Sequence, residues 1–255
     1  MKKIIVTIFL FLFIIMTISL RVEAQNSDLQ LMSRLDLENS LGKKEVSKLL
    51  DLLPQDLNLD EPELILINKE NPVSTEIDFE GVYSDQGLLY NALASPSFNE
   101  WMQAAVNDGF YFSIVSAYRS MESQANNRLA RYHSYLSEGL DPDTAQMYVD
   151  MFYAPADASE HLSGLALDLL GSDWTSQGGE LMASYGQMPS AQWLAQTAPE
   201  FGFILRYPEG KEEITGYNYE PWHFRYVGNK HASFISRHNL TLEEYLSLIV
   251  LKHKD

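Results

Sequence analysis

Two short stretches concentrate groups that could do hydrolytic chemistry. The first, Ser159-Glu160-His161-Leu162-Ser163-Gly164-Leu165-Ala166-Leu167-Asp168, offers an imidazole followed by a carboxylate. The second, Glu220-Pro221-Trp222-His223-Phe224-Arg225, offers another imidazole with a carboxylate before it. Two histidines and one aspartate leave a tetrahedral zinc ion one open position for water, the arrangement of a catalytic site rather than a structural one. His161, Asp168 and His223 are therefore candidate ligands. The spare carboxylate, Glu220, is the candidate general base beside that water. Glu160 adjoins His161, but on a loop its side chain is expected to point to solvent, so Glu220 is preferred.

These groups need particular elements behind them. Gly164 to Leu170 alternate small or polar residues with leucine, the period of a half-buried strand. Leu165, Leu167 and Leu169 then face the core, while Gly164, Ala166 and Asp168 share the other face and leave room for a substrate. His161 precedes the strand on a loop that can swing it back toward Asp168. In the second stretch Trp222, Phe224 and Tyr226 form the core face of a strand, with His223 and Arg225 on the opposite face. A flat strand would put Glu220 on the wrong side of His223. Pro221 breaks the strand there and lets Glu220 turn toward the metal.

The remaining punctuation fills in the frame. Leu64 to Ile67 reads as a short strand. Ser95-Pro96 opens a helix over Phe98 to Val106 that Gly109 ends. Phe110 to Val115 is a buried strand delivering Ser116 to Ser120, with Arg119 at its end, and a helix over Glu122 to Leu136 carries Gln124. Asp141-Pro142 caps a helix to about Phe152, and Ser190 to Ala198 forms another. A hairpin is expected between Arg206-Tyr207 and Tyr217 to Tyr219, turning through Glu209-Gly210-Lys211. Asn229 caps a helix through His238, and Thr241 to Glu244 is a capping box for the last one. Helices and short strands without repeated βαβ units predict a single α+β domain, a small antiparallel sheet flanked by helices.

The same residues carry a family resemblance. Ser-x-His-x-x-Gly-x-Ala-x-Asp followed by Glu-x-Trp-His-x-Arg resembles the VanY-type zinc D-alanyl-D-alanine carboxypeptidases, and their L,D-carboxypeptidase relatives share the pattern. Ser116-Ala117-Tyr118-Arg119-Ser120 with Gln124, and Phe201 to Pro208 leading into Tyr226-Val227-Gly228, also match. The resemblance spans roughly Leu64 to Leu246. It implies the fold shared by the D,D-peptidases and the Hedgehog signalling domain. It also implies one zinc per chain on His161, Asp168 and His223, Glu220 as catalytic base, and Arg119, Gln124 and Ser159 in contact with substrate. Arg119 would stabilise either the developing oxyanion or the terminal carboxylate. The implied reaction removes the carboxy-terminal D-alanine from peptidoglycan stem peptides or their precursors. L,D-trimming of tetrapeptides and a catalytically silent peptidoglycan-binding module are the alternatives.

Composition narrows the rest. Lys2 and Lys3, the apolar-or-hydroxyl run Ile4 to Leu20 and the small-residue site Val22-Glu23-Ala24 describe a signal peptide cleaved after Ala24, or an uncleaved anchor. Residues 25–60 read as a polar spacer and residues 61–255 as the enzyme domain. The protein is expected outside the cytoplasm of a bacterium, as a monomer, touching a membrane only through residues 1–24 if they are retained. The chain has no cysteine, which removes thiol nucleophiles, cysteine zinc sites and a lipoprotein anchor. Its formal net charge is −17, which repels nucleic acid and anionic membrane surfaces. No Gly-x-Ser-x-Gly elbow or Ser-x-x-Lys box supports a serine peptidase. His133, His231, His238 and His253 lack a partner at useful spacing and read as surface helix residues.

Overall fold

A computed structural model describes residues 29–254. The expected signal peptide and its cleavage site lie outside the described residues. The described chain falls into two compact units, one of residues 29–65 with 246–254 and one of residues 66–245.

The smaller unit holds α1 (Arg34–Leu41) and α2 (Lys43–Leu52). The described part of the expected polar spacer thus carries two helices. Ser33 and Asp36 form a reciprocal capping box at the start of α1. Leu37, Val46, Leu49, Leu53 and Leu57 are buried, which anchors a segment whose composition alone looks polar.

The larger unit contains the sheets. A two-stranded ribbon pairs β1 (Gly81–Tyr83) with β2 (Leu89–Asn91). It is followed by α3 (Ser95–Asn107), β3 (Phe112–Ser116), α4 (Met121–Ser137) and α5 (Pro142–Phe152). Then come β4 (Ala166–Gly171), the single turn α6 (Ser172–Thr175) and α7 (Pro189–Thr197). The unit closes with β5 (Phe203–Leu205), the single turn α8 (Glu212–Thr215), β6 (His223–Tyr226) and α9 (Asn229–Arg237). A last helix, α10 (Leu242–Lys254), starts here with the Thr241–Glu244 capping box, closed in both directions by hydrogen bonds of 2.7 and 3.2 Å.

The main sheet is antiparallel throughout, in the order β3-β4-β6-β5. The fold is the expected α+β class, but three local expectations change. Leu64 to Ile67 is no strand: a 3-10 turn over Pro62–Leu64 leads into irregular chain. The hairpin expected between Arg206-Tyr207 and Tyr217 to Tyr219 forms further from its turn: β5 pairs with β6, and Arg206 and Tyr207 bond to the backbone of His223 and Glu220, while Tyr207 and Tyr217 meet as rings 4.7 Å apart. Helix α9 takes Gly228 as its N-cap, with Asn229 already inside.

One face of the sheet packs on aromatic residues. Trp101 of α3 is fully buried, stacked on Phe203 at 5.0 Å and edge-on to Phe224 at 5.3 Å, and its indole N–H donates to Thr197 at 2.8 Å. The other face of β4 was expected to be open to a cleft. Every residue of β4 is buried, and of that face Asp168 lines a cavity.

Candidate metal centre and active site

Register brings the first two groups together. Asp168 of β4 lies directly opposite His223 of β6 and opposite Ser116 of β3, so the three side chains rise from one row of the sheet. His223 Nδ1 sits 3.0 Å from Asp168 Oδ1. His161 arrives from a 3-10 turn, Glu160–Ser163, ended by Gly164 at φ 66°. A Cβ on Gly164 would meet the Phe79 ring at 2.7 Å and the Asn91 backbone nitrogen at 3.0 Å, so glycine serves both the left-handed backbone and the close approach. The turn places His161 Nε2 3.2 Å from Asp168 Oδ2.

The donor set fits a tetrahedral cation. One atom from each of His161, Asp168 and His223 lies within 4.8 Å of the others, and all three residues are buried. Ligand atoms about 2.0–2.1 Å from a tetrahedral zinc sit roughly 3.3 Å apart, close to the two contacts above. The outer ring nitrogens settle the tautomers. His161 Nδ1 donates to the Ala117 carbonyl at 2.6 Å, and His223 Nε2 lies 3.3 Å from Glu160 Oε2. With their protons on these outer nitrogens, both histidines would present lone pairs beside the Asp168 carboxylate. Three buried acceptors facing one another call for a cation.

Burial and neighbouring charge pull these groups in opposite directions. Burial opposes a charge on His223, yet hydrogen bonds with Asp168 and Glu160 overturn that and push its pKa up to about 9. Burial holds His161 down despite Asp168. Burial would raise Asp168, but the two imidazoles hold it well below the usual carboxylate range.

Glu220 reaches the same place by a turn. The His223 N–H donates to the Glu220 carbonyl at 3.1 Å across Pro221-Trp222, a β-turn with proline at its second position. This puts Glu220 Oε2 3.7 Å from His223 Nδ1, with 21% of its side chain exposed. Burial pushes the carboxyl up to about 7 against the opposing pull of His223. A carboxylate balanced near neutrality beside a metal-binding triad is suited to accept and return a proton.

Glu160 is a correction. It is 1% exposed, not turned to solvent. Its Oε1 accepts from Arg206 Nε at 2.7 Å and from Arg225 at 2.8 Å, while its Oε2 faces His223. Arg206 also grips Glu243 through two hydrogen bonds. Burial would raise the Glu160 carboxyl, but Arg206 and Arg225 hold it well below its usual range. The signal in the sequence was Arg225, two residues beyond His223 on the same strand face, where a buried guanidinium requires a carboxylate. His231 is a second correction: it is fully buried, and Nδ1 meets the Tyr245 hydroxyl at 2.7 Å.

Arg119, Gln124 and Ser159 line the same cavity of about 450 Å³ as the triad and Glu220. Arg119 is held by Gln124 Oε1 at 2.6 Å and Ser116 Oγ at 3.0 Å, and lies 4.0 Å from Asp168 Oδ2. Gln124 is buried and donates to the Ala154 carbonyl at 2.7 Å. Tyr207, expected only as part of a hairpin, lines the cavity and packs its ring 4.8 Å from that of His223.

A small antiparallel sheet presenting one aspartate and two histidines, with a glutamate beside them, defines the single-metal peptidase class. A family model described as D-alanyl-D-alanine carboxypeptidase (VanY) matches residues 88–229, and the chain belongs to this family. A D-alanyl-D-alanine carboxypeptidase of Enterococcus faecalis is 36% identical over 184 residues, which are 72% of this chain and 65% of the relative. The chain thus spans less than two thirds of that relative's length. A mutant of the vancomycin-resistance D,D-pentapeptidase VanY in complex with Zn(II) is 34% identical with a TM-score of 0.64, covering 73% of this chain and 99% of that one. The LD-carboxypeptidase LdcB is 31% identical with a TM-score of 0.56, covering 72% and 86%.

Proposed function

We propose that this chain is a zinc-dependent D,D-carboxypeptidase that removes the carboxy-terminal D-alanine from peptidoglycan stem peptides ending in D-Ala-D-Ala. The observation that carries it is Glu220 Oε2 set 3.7 Å from Nδ1 of a triad histidine, inside a cavity that also holds Arg119. A metal that prefers nitrogen and carboxylate donors suits His161, Asp168 and His223, and zinc there supplies Lewis acidity toward a carbonyl and acidifies water.

The protein's own groups do the rest. Glu220 takes a proton from water as the oxygen forms its bond to the scissile carbonyl carbon. It returns that proton to the amine as the carbon–nitrogen bond breaks. Arg119, fixed by Gln124 and Ser116, binds either the developing oxyanion or the terminal carboxylate. The Ser159 hydroxyl is available to hold the peptide in place. His161 and His223 stay in metal-binding tautomers because Ala117 and Glu160 occupy their outer nitrogens.

Export belongs to the same reading. A stem-peptide substrate lies outside the cytoplasm, and Lys2 to Ala24 has the order of a signal peptide. Among the described residues no helix is long and apolar enough to cross a membrane. The likeness to LdcB favours L,D-trimming as the second reading. Purified protein offered a pentapeptide ending in D-Ala-D-Ala and a tetrapeptide ending in one D-alanine separates them by product mass. Loss of D-alanine from the pentapeptide supports the proposal, and trimming of the tetrapeptide alone supports the second reading.

A further inference from the structure

Helix α4 runs along the cavity wall. Gln124, Arg128, Arg131 and Tyr135 recur at intervals of four, three and four residues, so they form one stripe on one face of the helix. Gln124, Arg131 and Tyr135 all line the cavity. The two arginines near Arg131 are already satisfied. Arg119 is held by Gln124 and Ser116, and Arg128 by the Asp150 carboxylate and the carbonyls of Val149 and Tyr153.

Arg131 is different. Its Nε donates to the Tyr153 hydroxyl at 2.7 Å, and its guanidinium carbon lies 5.6 Å from the centroids of both the Tyr135 and Tyr153 rings. The hydroxyl and the two rings orient the plane. Among the described residues no carboxylate lies within 4.0 Å of it; Glu138, two turns on at the end of α4, attracts it from farther away and is itself bonded by the Ser134 hydroxyl. The carboxylates lining the cavity, Glu160, Asp168 and Glu220, sit with the metal site instead. A guanidinium braced in this way on the cavity lining is suited to receive a planar anion.

We infer that Arg131, clamped by Tyr135 and Tyr153, binds a second free carboxylate on the substrate peptide, about three residues before its carboxy terminus. The spacing follows from the helix. Seven residues separate Gln124, which braces Arg119 at the reacting end, from Arg131, a rise of about 10 Å. An extended peptide covers that span in roughly three residues at about 3.3 Å each. The inference rests on the proposed function for the direction in which the peptide lies.

The test is a pair of synthetic pentapeptides ending in D-Ala-D-Ala. Each has a glutamyl residue three places before the end, its free carboxylate intact in one and converted to the carboxamide in the other. Calorimetric titration of zinc-loaded Glu220→Ala protein should show the carboxylate peptide binding roughly 3- to 10-fold tighter, a partly exposed charged contact. That advantage should shrink in high salt and vanish with Arg131→Gln added. Equal affinities overturn the inference, as does an Arg131→Gln change that weakens both peptides alike, or binding of neither. Hydrolysis of an acyl-D-Ala-D-Ala with no upstream carboxylate by the unsubstituted holoenzyme is scored separately. Cleavage there with equal affinities for the pair removes this inference and leaves the proposed function standing.

Discussion

Replacing Glu160 by glutamine is the most exacting perturbation of the site, because it removes a charge and almost no volume. In the structure that charge neutralises Arg206 and Arg225 and accepts from the outer nitrogen of His223. Arg206 keeps Glu243, while both guanidiniums lose the buried carboxylate they share. Breaking a buried ion pair from one side costs about 3–5 kcal/mol. For a unit of this size each kcal/mol moves the melting temperature by about 2–4 °C, giving a fall of between about 6 and 20 °C in the metal-free protein. The loss of the acceptor on His223 should also weaken zinc binding by about 10- to 100-fold, the usual cost of removing a partner behind a ligand histidine. Thermal unfolding followed by circular dichroism reads the first quantity, and zinc competition with a chromophoric chelator reads the second. Glu243→Gln is the control, since Glu243 bonds Arg206 but not His223: it should lower stability while sparing zinc affinity. A Glu160→Gln protein within about 1 kcal/mol of the parent, with unchanged zinc affinity, would refute the reasoning.

Three further outcomes are expected. His161→Ala and His223→Ala proteins should each lose zinc or hold it far more weakly by metal analysis, and full occupancy in both would remove the assignment. Glu220→Ala should keep its zinc and its ground-state peptide affinity while turnover falls about 10²–10⁴-fold, since only a proton transfer is lost. Burial pushes the Tyr185 hydroxyl up to about 12, with hydrogen bonds to Ser190 and the Gly171 N–H opposing. The stability this residue contributes is therefore complete below about pH 10, its unfolded pKa, and is lost as pH rises through about 12. Ultraviolet titration should show Tyr185, Tyr207 and Tyr217 all ionising late, since burial pushes each of them up, and one late tyrosine fewer in Tyr185→Phe.

The centre was legible in the sequence because strand periodicity decides which side chains share a face. Alternation with leucine and aromatic residues put Asp168 and His223 each on the face away from the core, metal-ligand chemistry and the family resemblance grouped them, and Pro221 signalled the turn that brings Glu220 round. What could not be read was the layer above that face. A single-strand pattern reports one element's two sides, not what another element lays over them. Glu160 therefore looked like a loop residue, when Arg206 and Arg225 from two other strands or strand ends bury it. The β5–β6 pairing lies further from its turn than the expected hairpin, with Tyr207 and Tyr217 meeting ring to ring. His231 was misplaced because its partner, Tyr245, comes from the following helix.

The three-strand row that unites Ser116, Asp168 and His223 divides the chain by its tolerance of insertions. Gain or loss of one residue within β4 or β6 would turn Asp168 or His223 to the aromatic side of the sheet and abolish the metal centre. The exposed loop of residues 177–183, between α6 and the buried Tyr185, faces no such constraint on its length, yet it supplies Leu181, Met182 and Ala183 to the cavity wall. The wall facing the substrate can thus be lengthened, shortened or rebuilt while the ligands hold their positions. A scaffold divided in this way can change which peptides it admits without rebuilding the chemistry that cuts them.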